Sequence, residues 1–460
     1  MARPRTRPRL LPAFHPGPKP RRRTELGLLV FANLIIVALY VLASEGEHSH
    51  IPPHLGPFLG VLVGLSLVAH LANRWLVPDA HPVVLPIVVL LNGIGYVVIA
   101  RWNPPYAKLQ AGWTAIGIAA YILTLLVVRR SRDLDRYRYL LLLLAGVLML
   151  APLIPHFGEN INGARLWVHA GRLSFQPVEI AKLLLCIFFA SYFAENKEML
   201  SIPTARLGNR LIIDPRPLIP ILVAWGFAML VIGVENDIAF ALLIFMLFIG
   251  LLWITTGRVG YLVLGLVLFA AGAVVAAHVF AQVHDRVTIW LDPWATQNGS
   301  GGQLALGWYA LGGGGVGGTG LGLGKVSGIV PHITSDMIFA AIGEEMGFLG
   351  TSSVAIAFLL LVGAGLRIAQ TARSDFSRLV ATGLTIILGF QAFFIMAGVL
   401  RLLPLTGITL PFMAYGGSSL VANYVLVALL MRISQEGAAS PVEVAAAVNQ
   451  PGDRAYVIAQ

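Results

Sequence analysis

Residues 238–256 read IAFALLIFMLFIGLLWITT, an apolar stretch of nineteen residues without a charged side chain. Glu235 and Asp237 precede the stretch and Arg258 follows it, so its charged neighbours stand at the two ends. A helix rises about 1.5 Å per residue, and roughly 20 apolar residues therefore cross a hydrocarbon core of about 30 Å. The stretch predicts a transmembrane helix.

The composition of the whole chain agrees with this prediction. Of its 460 residues, 57% are hydrophobic and only 12% are charged, against about 25% charged in an ordinary soluble domain. So few charges exclude a soluble enzyme, a fibrous chain and a disordered chain. The single cysteine, Cys186, excludes an intrachain disulfide and a cysteine-based metal site.

Apolar stretches of similar length recur along the chain and predict an all-α polytopic membrane protein with about twelve transmembrane helices in residues 25–433. Both ends, residues 1–24 and 434–460, are predicted to be disordered tails. One connection, residues 281–336, is far longer than the others, and we expect it to be a functional loop. The twelve predicted spans are 26–44, 56–77, 82–100, 111–128, 138–155, 177–195, 217–234, 238–256, 259–280, 337–366, 379–400 and 408–431.

The distribution of Lys and Arg predicts the orientation. If both tails are cytoplasmic, the cytoplasmic segments hold 24 of the 32 cations, the opposite loops hold 7, and Lys182 lies within a span. Cytoplasmic loops carry the excess of Lys and Arg in most membrane proteins. We therefore expect cytoplasmic termini and a 281–336 loop on the opposite side of the membrane.

Ionisable side chains inside a membrane are costly, which makes each one a functional candidate. Glu179 and Lys182 are three residues apart and share a helix face, so we predict that they pair. The pair either fixes the register of the helix or belongs to a substrate site. Asp237 is either a helix N-cap or a site residue.

The tenth span adds three more acids. Asp336 stands at its start and is either a site residue or another cap. Glu344 and Glu345 follow about 12–14 Å further along the helix. Because adjacent helical residues point about 100° apart, at least one of these two glutamates should face the protein interior or a wet cavity.

The glycine run from Gly312 to Gly324 formally contains a GxGxxG pattern. It follows no predicted strand and opens no βαβ unit, which argues against nucleotide binding. A flexible loop that lets the backbone approach an extended substrate is the interpretation we favour.

Four sequence blocks together resemble the SEDS (shape, elongation, division and sporulation) family, which includes RodA and FtsW, and the likeness is closer to the RodA type. Three departures from the family pattern affect residues 296–303, the stretch after Asp237 and the residue before Asp336. Asp237-Ile-Ala-Phe240 replaces the family's Asp-Leu-Gly-Thr, and Ser335-Asp336 replaces its Thr-Asp. The blocks are Asn162-Gly-Ala-Arg165-Leu-Trp167 with Ser174-Phe-Gln176-Pro177-Val-Glu179, Arg286-Val with Trp290-Leu-Asp292-Pro293-Trp294, Ser335-Asp336-Met-Ile-Phe339 with Gly343-Glu344-Glu345-Met-Gly347, and Leu405-Thr-Gly407 with Tyr415-Gly416-Gly417-Ser418-Ser419.

The resemblance implies a helical bundle whose family core has ten spans, here preceded by two extra ones. It also implies a peptidoglycan glycosyltransferase that polymerises lipid II during cell elongation and shape maintenance, with a class B penicillin-binding protein as partner. Asp336 matches the family's essential acid. The residues then expected at the substrate are Arg165, Glu179, Lys182, Asp237, Arg286, Lys325, Glu344, Glu345 and Ser418.

The chemistry of glycosidic bond formation fits these residues. Asp336 can act as general base toward the attacking hydroxyl, while Arg165, Arg172, Arg286 and Lys325 can stabilise the leaving diphosphate. A divalent cation, Mg²⁺ or Mn²⁺, stays open as a cofactor, since the sequence shows no dedicated cage of ligands. The alternatives are a septal polymerase of the FtsW type, a flippase or transporter for polyprenyl-linked lipids, and a silent scaffold.

Overall fold

The structure is a computed structural model that describes residues 21–48, 55–154, 157–161, 164–170, 173–201, 205–207, 210–212, 216–235 and 237–438. Most residues of the two predicted tails lie outside the described residues. The first helix begins at Arg21 and the last ends at Gly437. Residues 21–24 and 434–437, which we assigned to the tails, are therefore helical.

Each of the twelve predicted spans contains an α-helix, and the predicted fold class is confirmed. Four further short helices lie between the spans in the described part of the chain. The helices are α1 (Arg21–His48), α2 (Leu55–Leu76), α3 (Val84–Trp102), α4 (Pro104–Val127), α5 (Asp133–Arg136), α6 (Arg138–Leu150), α7 (Val178–Glu195), α8 (Lys197–Ser201), α9 (Ile219–Glu235), α10 (Ile238–Thr256), α11 (Val259–Val279), α12 (Ala281–Leu291), α13 (Gly302–Gly314), α14 (Ile338–Thr371), α15 (Asp375–Val399) and α16 (Gly417–Gly437).

Length and polarity separate these helices into groups. Over the described ranges, seven helices are long and apolar enough to cross a membrane, namely α1, α3, α4, α10, α14, α15 and α16. Shorter apolar stretches lie in α2, α6, α9 and α11. The helix α7 is 18 residues long but carries Glu179, Lys182 and Glu195.

The boundaries of α10 show how local sequence sets a helix. Asp237 is the N-cap, and its side chain accepts a hydrogen bond from the backbone N–H of Phe240 at 3.0 Å. Gly257 follows the last turn with φ of 66°, a left-handed conformation that glycine adopts without a steric penalty. The predicted span 238–256 and the observed helix therefore coincide.

Short strands connect some of the helices. The strands β1 (Gly158–Ile161), β2 (Ala164–Ala170) and β3 (Leu173–Phe175) form an antiparallel sheet in that order. A second antiparallel pair consists of β4 (Ala205–Leu207) and β5 (Arg210–Ile212). The sheet of β1 to β3 lies directly before α7 in the chain and brings three of its residues, Leu166, Trp167 and Ser174, to the cavity described below.

The predicted loop 281–336 contains α12 and α13, followed by the glycine run. This run packs against a break in α14, where Gly347 has φ of 63° and ψ of −162°. The backbone N–H of Phe348 donates to the oxygen of Gly315 at 2.9 Å. A Cβ added to Gly318 would lie 2.1 Å from the backbone oxygen of Glu345. The glycines thus allow two backbones to meet, and the run does not line the cavity.

Candidate functional site

A polar cavity of about 630 Å³ lies where the ends of several helices converge. The α3–α4 junction, β2 and the starts of α7 and α10 contribute to its walls, together with α12 and the segments before α14 and α16. Five of the predicted site residues line it, although they are far apart in the sequence. These residues are Glu179, Asp237, Arg286, Asp336 and Ser418.

Asp336 lies in the turn that leads into α14. The backbone N–H of Met337 donates to the oxygen of His332 at 3.2 Å, and His332 itself has φ of 54°. The helix begins only at Ile338, and its N-cap position is Met337, without a side-chain cap. The alternative that Asp336 caps the helix is therefore wrong. The turn that begins at His332 ends at Met337, one residue after Asp336, and Asp336 lines the cavity.

Burial and neighbouring polar groups shift the pKa of Asp336 in opposite directions. Burial raises the pKa of Asp336 above that of an ordinary aspartate. Electrostatic interactions with His332 and Arg286 and a hydrogen bond from Ser335 lower the pKa of Asp336 and offset part of that rise. A raised pKa in a cavity is typical of a carboxyl group that exchanges protons at a functional site.

Asp237 is both the N-cap of α10 and a residue that lines the cavity, so the two alternatives for this residue do not exclude each other. Its side chain binds the N–H of Phe240 and also lines the cavity. Burial raises the pKa of Asp237 to about 6, against the hydrogen bond from Phe240 and the charge of Arg286, which lower it.

Arg286 is held in place from α12. Its Nη1 donates to the backbone oxygen of Thr406 at 2.7 Å, and both residues line the cavity. Burial lowers the pKa of Arg286, whereas the charges of Asp237 and Asp336 raise it. A guanidinium stays charged over the whole physiological range, so Arg286 places a fixed positive charge near two carboxylates.

A buried polar network lies beneath the cavity. Lys182 forms an ion pair with Glu179, and its Nζ also donates to Oε1 of Gln391 at 3.1 Å. Nε2 of Gln391 donates to the oxygen of Thr409 at 3.1 Å and to Oγ of Ser419 at 3.2 Å. The predicted pairing of Glu179 and Lys182 is confirmed, and the network connects α7, α15 and α16.

Ser418 and Gln391 complete this description. The backbone N–H of Gln176 donates to Oγ of Ser418 at 2.8 Å, which joins α16 to the segment before α7. Sequence reasoning missed Gln391, an uncharged polar residue whose only signal is its position in the middle of an apolar helix.

The other predicted residues do not line the cavity. Glu344 accepts three backbone N–H groups, from Lys325 at 2.7 Å, Val326 at 2.8 Å and Ser327 at 2.7 Å. Glu345 accepts the N–H of Gly322 at 3.2 Å and lies 3.5 Å from Nε of Arg101. Both glutamates face the protein interior, as predicted for at least one of them, and they hold the end of the glycine run and the residues that follow it.

The remaining cations lie elsewhere. Lys325 is exposed, and Arg165 is an exposed residue of β2 next to Leu166 and Trp167, which do line the cavity. Arg172 lies outside the described residues. The substrate roles of Arg165, Lys325, Glu344 and Glu345 stay predictions.

These features define the class of the protein: it is a polytopic helical membrane protein with a cavity at its helix ends that acidic and cationic side chains line. Residues 82–438 match the family described as "Cell cycle protein", which is the FtsW, RodA and SpoVE family. The chain belongs to this family, and the resemblance carried by the four sequence blocks is confirmed. The helices α1 and α2 precede the matched residues.

Individual relatives agree with this assignment. The chain is 38% identical over 433 residues to "Peptidoglycan glycosyltransferase RodA" of Mycobacterium tuberculosis, covering 92% of each chain. It is 35% identical over 290 residues to a "Probable peptidoglycan glycosyltransferase FtsW" of a Geobacter species, covering 62% of this chain and 76% of the relative. A solved structure described as "Structural coordination of polymerization and crosslinking by a peptidoglycan synthase complex" matches with a TM-score of 0.63 and 25% identity, over 76% of this chain and 96% of that one.

Proposed function

We propose that the protein is a peptidoglycan glycosyltransferase that polymerises lipid II, with Asp336 as general base. The observation that carries the proposal is the position of Asp336, whose carboxylate lines a cavity of about 630 Å³ together with Arg286 and Asp237. The names of the family relatives support the reaction class, and the cavity is large enough for a ligand of ordinary size.

The reaction would proceed by a direct displacement. Asp336 takes the proton of the acceptor's 4-hydroxyl group, and the oxygen attacks the anomeric carbon of the donor. The bond from that carbon to the diphosphate oxygen breaks, and the polyprenyl diphosphate leaves with the bonding electrons. Arg286, fixed by Thr406, offers paired N–H donors to the phosphate oxygens. Positive charge at this position stabilises the charge that develops on the leaving group.

The cavity would open to the extracytoplasmic side of the membrane. The bias of Lys and Arg supports this orientation, since it places both termini in the cytoplasm and the 281–336 segment on the other side. Residues of α12 and of the turn before α14, which belong to that segment, line the cavity. The substrate's sugars would then be joined outside the cytoplasm.

A role in elongation, with a class B penicillin-binding protein as partner, fits the comparisons better than a septal role. The relative named RodA aligns over 92% of this chain, whereas the relative named FtsW aligns over 62%. The matched solved structure is a synthase complex that couples polymerisation to crosslinking. By analogy, this chain would supply the polymerising activity and its partner the crosslinking activity.

A divalent cation as cofactor remains a proposal of its own. Among the described residues, no group of three or more His, Cys, Asp and Glu side chains could hold a metal ion. Mg²⁺ is usually held by one or two carboxylates together with substrate phosphates and water, so a carboxylate of the cavity and the diphosphate would supply its ligands.

The decisive experiment is polymerisation of purified lipid II by the protein and by its Asp336→Asn variant. We expect glycan strands from the wild type and a loss of about 10²- to 10⁴-fold in the variant, the contribution of a general base. Thermal unfolding of both proteins would show that the variant is folded. A loss of only about threefold would remove Asp336 as the base.

A further inference from the structure

Aromatic side chains form a part of the cavity that the acids and Arg286 do not occupy. Trp102, Tyr106, Trp113 and Tyr415 all line the cavity, and we call these four residues the aromatic wall. The first three come from the α3–α4 region, and Tyr415 lies just before α16. Aromatic surfaces with a few placed polar groups are typical of ligand sites.

Two members of the aromatic wall form a rigid unit. The rings of Tyr106 and Tyr415 are stacked, with 4.4 Å between centroids and 6° between planes. The backbone N–H of Tyr415 donates to the oxygen of Thr334 at 2.8 Å. Because Thr334 is two residues before Asp336, this hydrogen bond ties the stacked pair to the segment that carries the general base.

Trp113 is fixed by a glycine. A Cβ added to Gly417 would lie 2.1 Å from Cε2 of the Trp113 ring. The bare backbone at the start of α16 therefore lies directly against the indole. This contact holds the ring next to Ser418, which also lines the cavity.

Three polar atoms of cavity-lining residues have no hydrogen-bond partner within the described residues. These buried atoms are Oγ1 of Thr406, Oγ1 of Thr409 and Nε1 of Trp102. A buried polar group without a partner costs about 1–3 kcal/mol, so native proteins rarely keep one unless a ligand or water serves it. Because these atoms are enclosed, the Thr406 and Thr409 hydroxyl groups would have to rotate toward the cavity to bind a hydroxyl or amide group of a ligand.

We propose that the aromatic wall binds the pyranose rings of the substrate, and that the hydroxyl groups of Thr406 and Thr409 rotate to bind polar groups at the edges of those rings. This inference rests on the proposed function. A pyranose presents C–H groups on its face, which pack on an aromatic ring, and hydroxyl and acetamido groups at its rim. The aromatic wall would hold the sugar while Arg286 holds the diphosphate, so that the reacting hydroxyl lies near Asp336.

The test compares Trp113→Leu and Tyr106→Leu with Trp113→Phe, which keeps an aromatic ring. Each variant is made in two backgrounds. In the Asp336→Asn background, the binding of fluorescent lipid II is measured by anisotropy, and in the wild-type background, the kinetics of polymerisation are measured. We expect the Leu variants to bind lipid II about tenfold more weakly, and to raise KM about tenfold with kcat within about threefold, the effect of losing one stacked ring. Trp113→Phe should retain most of the affinity.

Trp75→Leu is the matched control, because Trp75 lies on α2 and is 83% exposed, away from the cavity. It should leave affinity and KM unchanged. Tyr106, 40% exposed, provides a variant with little effect on folding if Trp113→Leu proves unstable in thermal unfolding.

The outcomes separate the two proposals. Unchanged affinity and KM in both Leu variants, with a wild type that polymerises lipid II, would overturn the inference alone. A wild type that neither binds nor polymerises lipid II would overturn the proposed function together with it.

Discussion

Replacing one partner of the buried Glu179–Lys182 ion pair should destabilise the protein more than replacing both. The two side chains are 4% and 0% exposed. In Glu179→Gln the ammonium keeps the oxygen of Gln391, at 3.1 Å, and the ring of Phe240, whose centroid is 5.7 Å from Nζ. Neither contact carries a negative charge, so the ammonium would lose its paired carboxylate and keep only the more distant charge of Asp237.

The magnitude follows from the burial of the pair. Breaking a buried pair by removing one partner costs about 3–5 kcal/mol, whereas replacing both with neutral groups is often close to neutral. We expect Glu179→Gln and Lys182→Met each to lose about that much, and the double variant to lose far less than their sum. If the double variant loses no more than one single variant, the coupling is at least about 3 kcal/mol, at or above the upper end for contacting residues.

The assay is the free energy of unfolding in mixed detergent micelles, for wild type, both single variants and the double variant. The control is the same cycle on Arg138 and Glu195, an ion pair whose side chains are 20% and 55% exposed. Exposed pairs contribute about 0–1 kcal/mol, so this cycle should show little coupling. Plain additivity of the Glu179 and Lys182 variants would refute the reasoning.

Three further predictions concern the cations, the loop support and the pH dependence. Arg286→Lys and Arg165→Lys should keep the positive charge but lose much of the polymerising activity, because only a guanidinium offers paired donors to a diphosphate, while Lys325→Arg is tolerated. Full activity in both Arg→Lys variants, at matched expression, would disprove the binding of the diphosphate by paired guanidinium donors. Glu344→Gln should lower the free energy of unfolding by about 1.5–3 kcal/mol, the value of a hydrogen bond to a charged group, because it weakens the hydrogen bonds that Glu344 accepts from three backbone N–H groups. An unchanged unfolding temperature would contradict this prediction. Asp336 must be ionised to act as base, and burial raises its pKa, so kcat/KM should begin to fall with decreasing pH at a pH above the usual aspartate range. Arg286→Gln should move this pH higher still, because it removes a positive charge that lowers the pKa of Asp336. A kcat/KM that stays constant down to a pH of about 4, the ordinary aspartate pKa, would speak against Asp336 as the base.

The sequence by itself determined where the long apolar helices lie, whereas it did not indicate the short helices α5, α8, α12 and α13. A span depends on about 20 consecutive apolar residues and on local end signals, and both can be read along the chain. The span 238–256 coincides with α10 because Asp237 caps its start and Gly257 terminates it. The pairing of Glu179 with Lys182 is equally local, since residues three apart share one face of a helix.

The tertiary structure decided which polar residues share a site. The cost of burying a charge marks a residue as important without naming its partner. Asp336 and Glu344 lie eight residues apart, yet one lines the cavity and the other accepts the backbone N–H groups of residues 325–327. The tight turn at His332 and the break at Gly347 produce this difference. Both depend on how the backbone of α14 packs against other segments, which no periodicity in the sequence records.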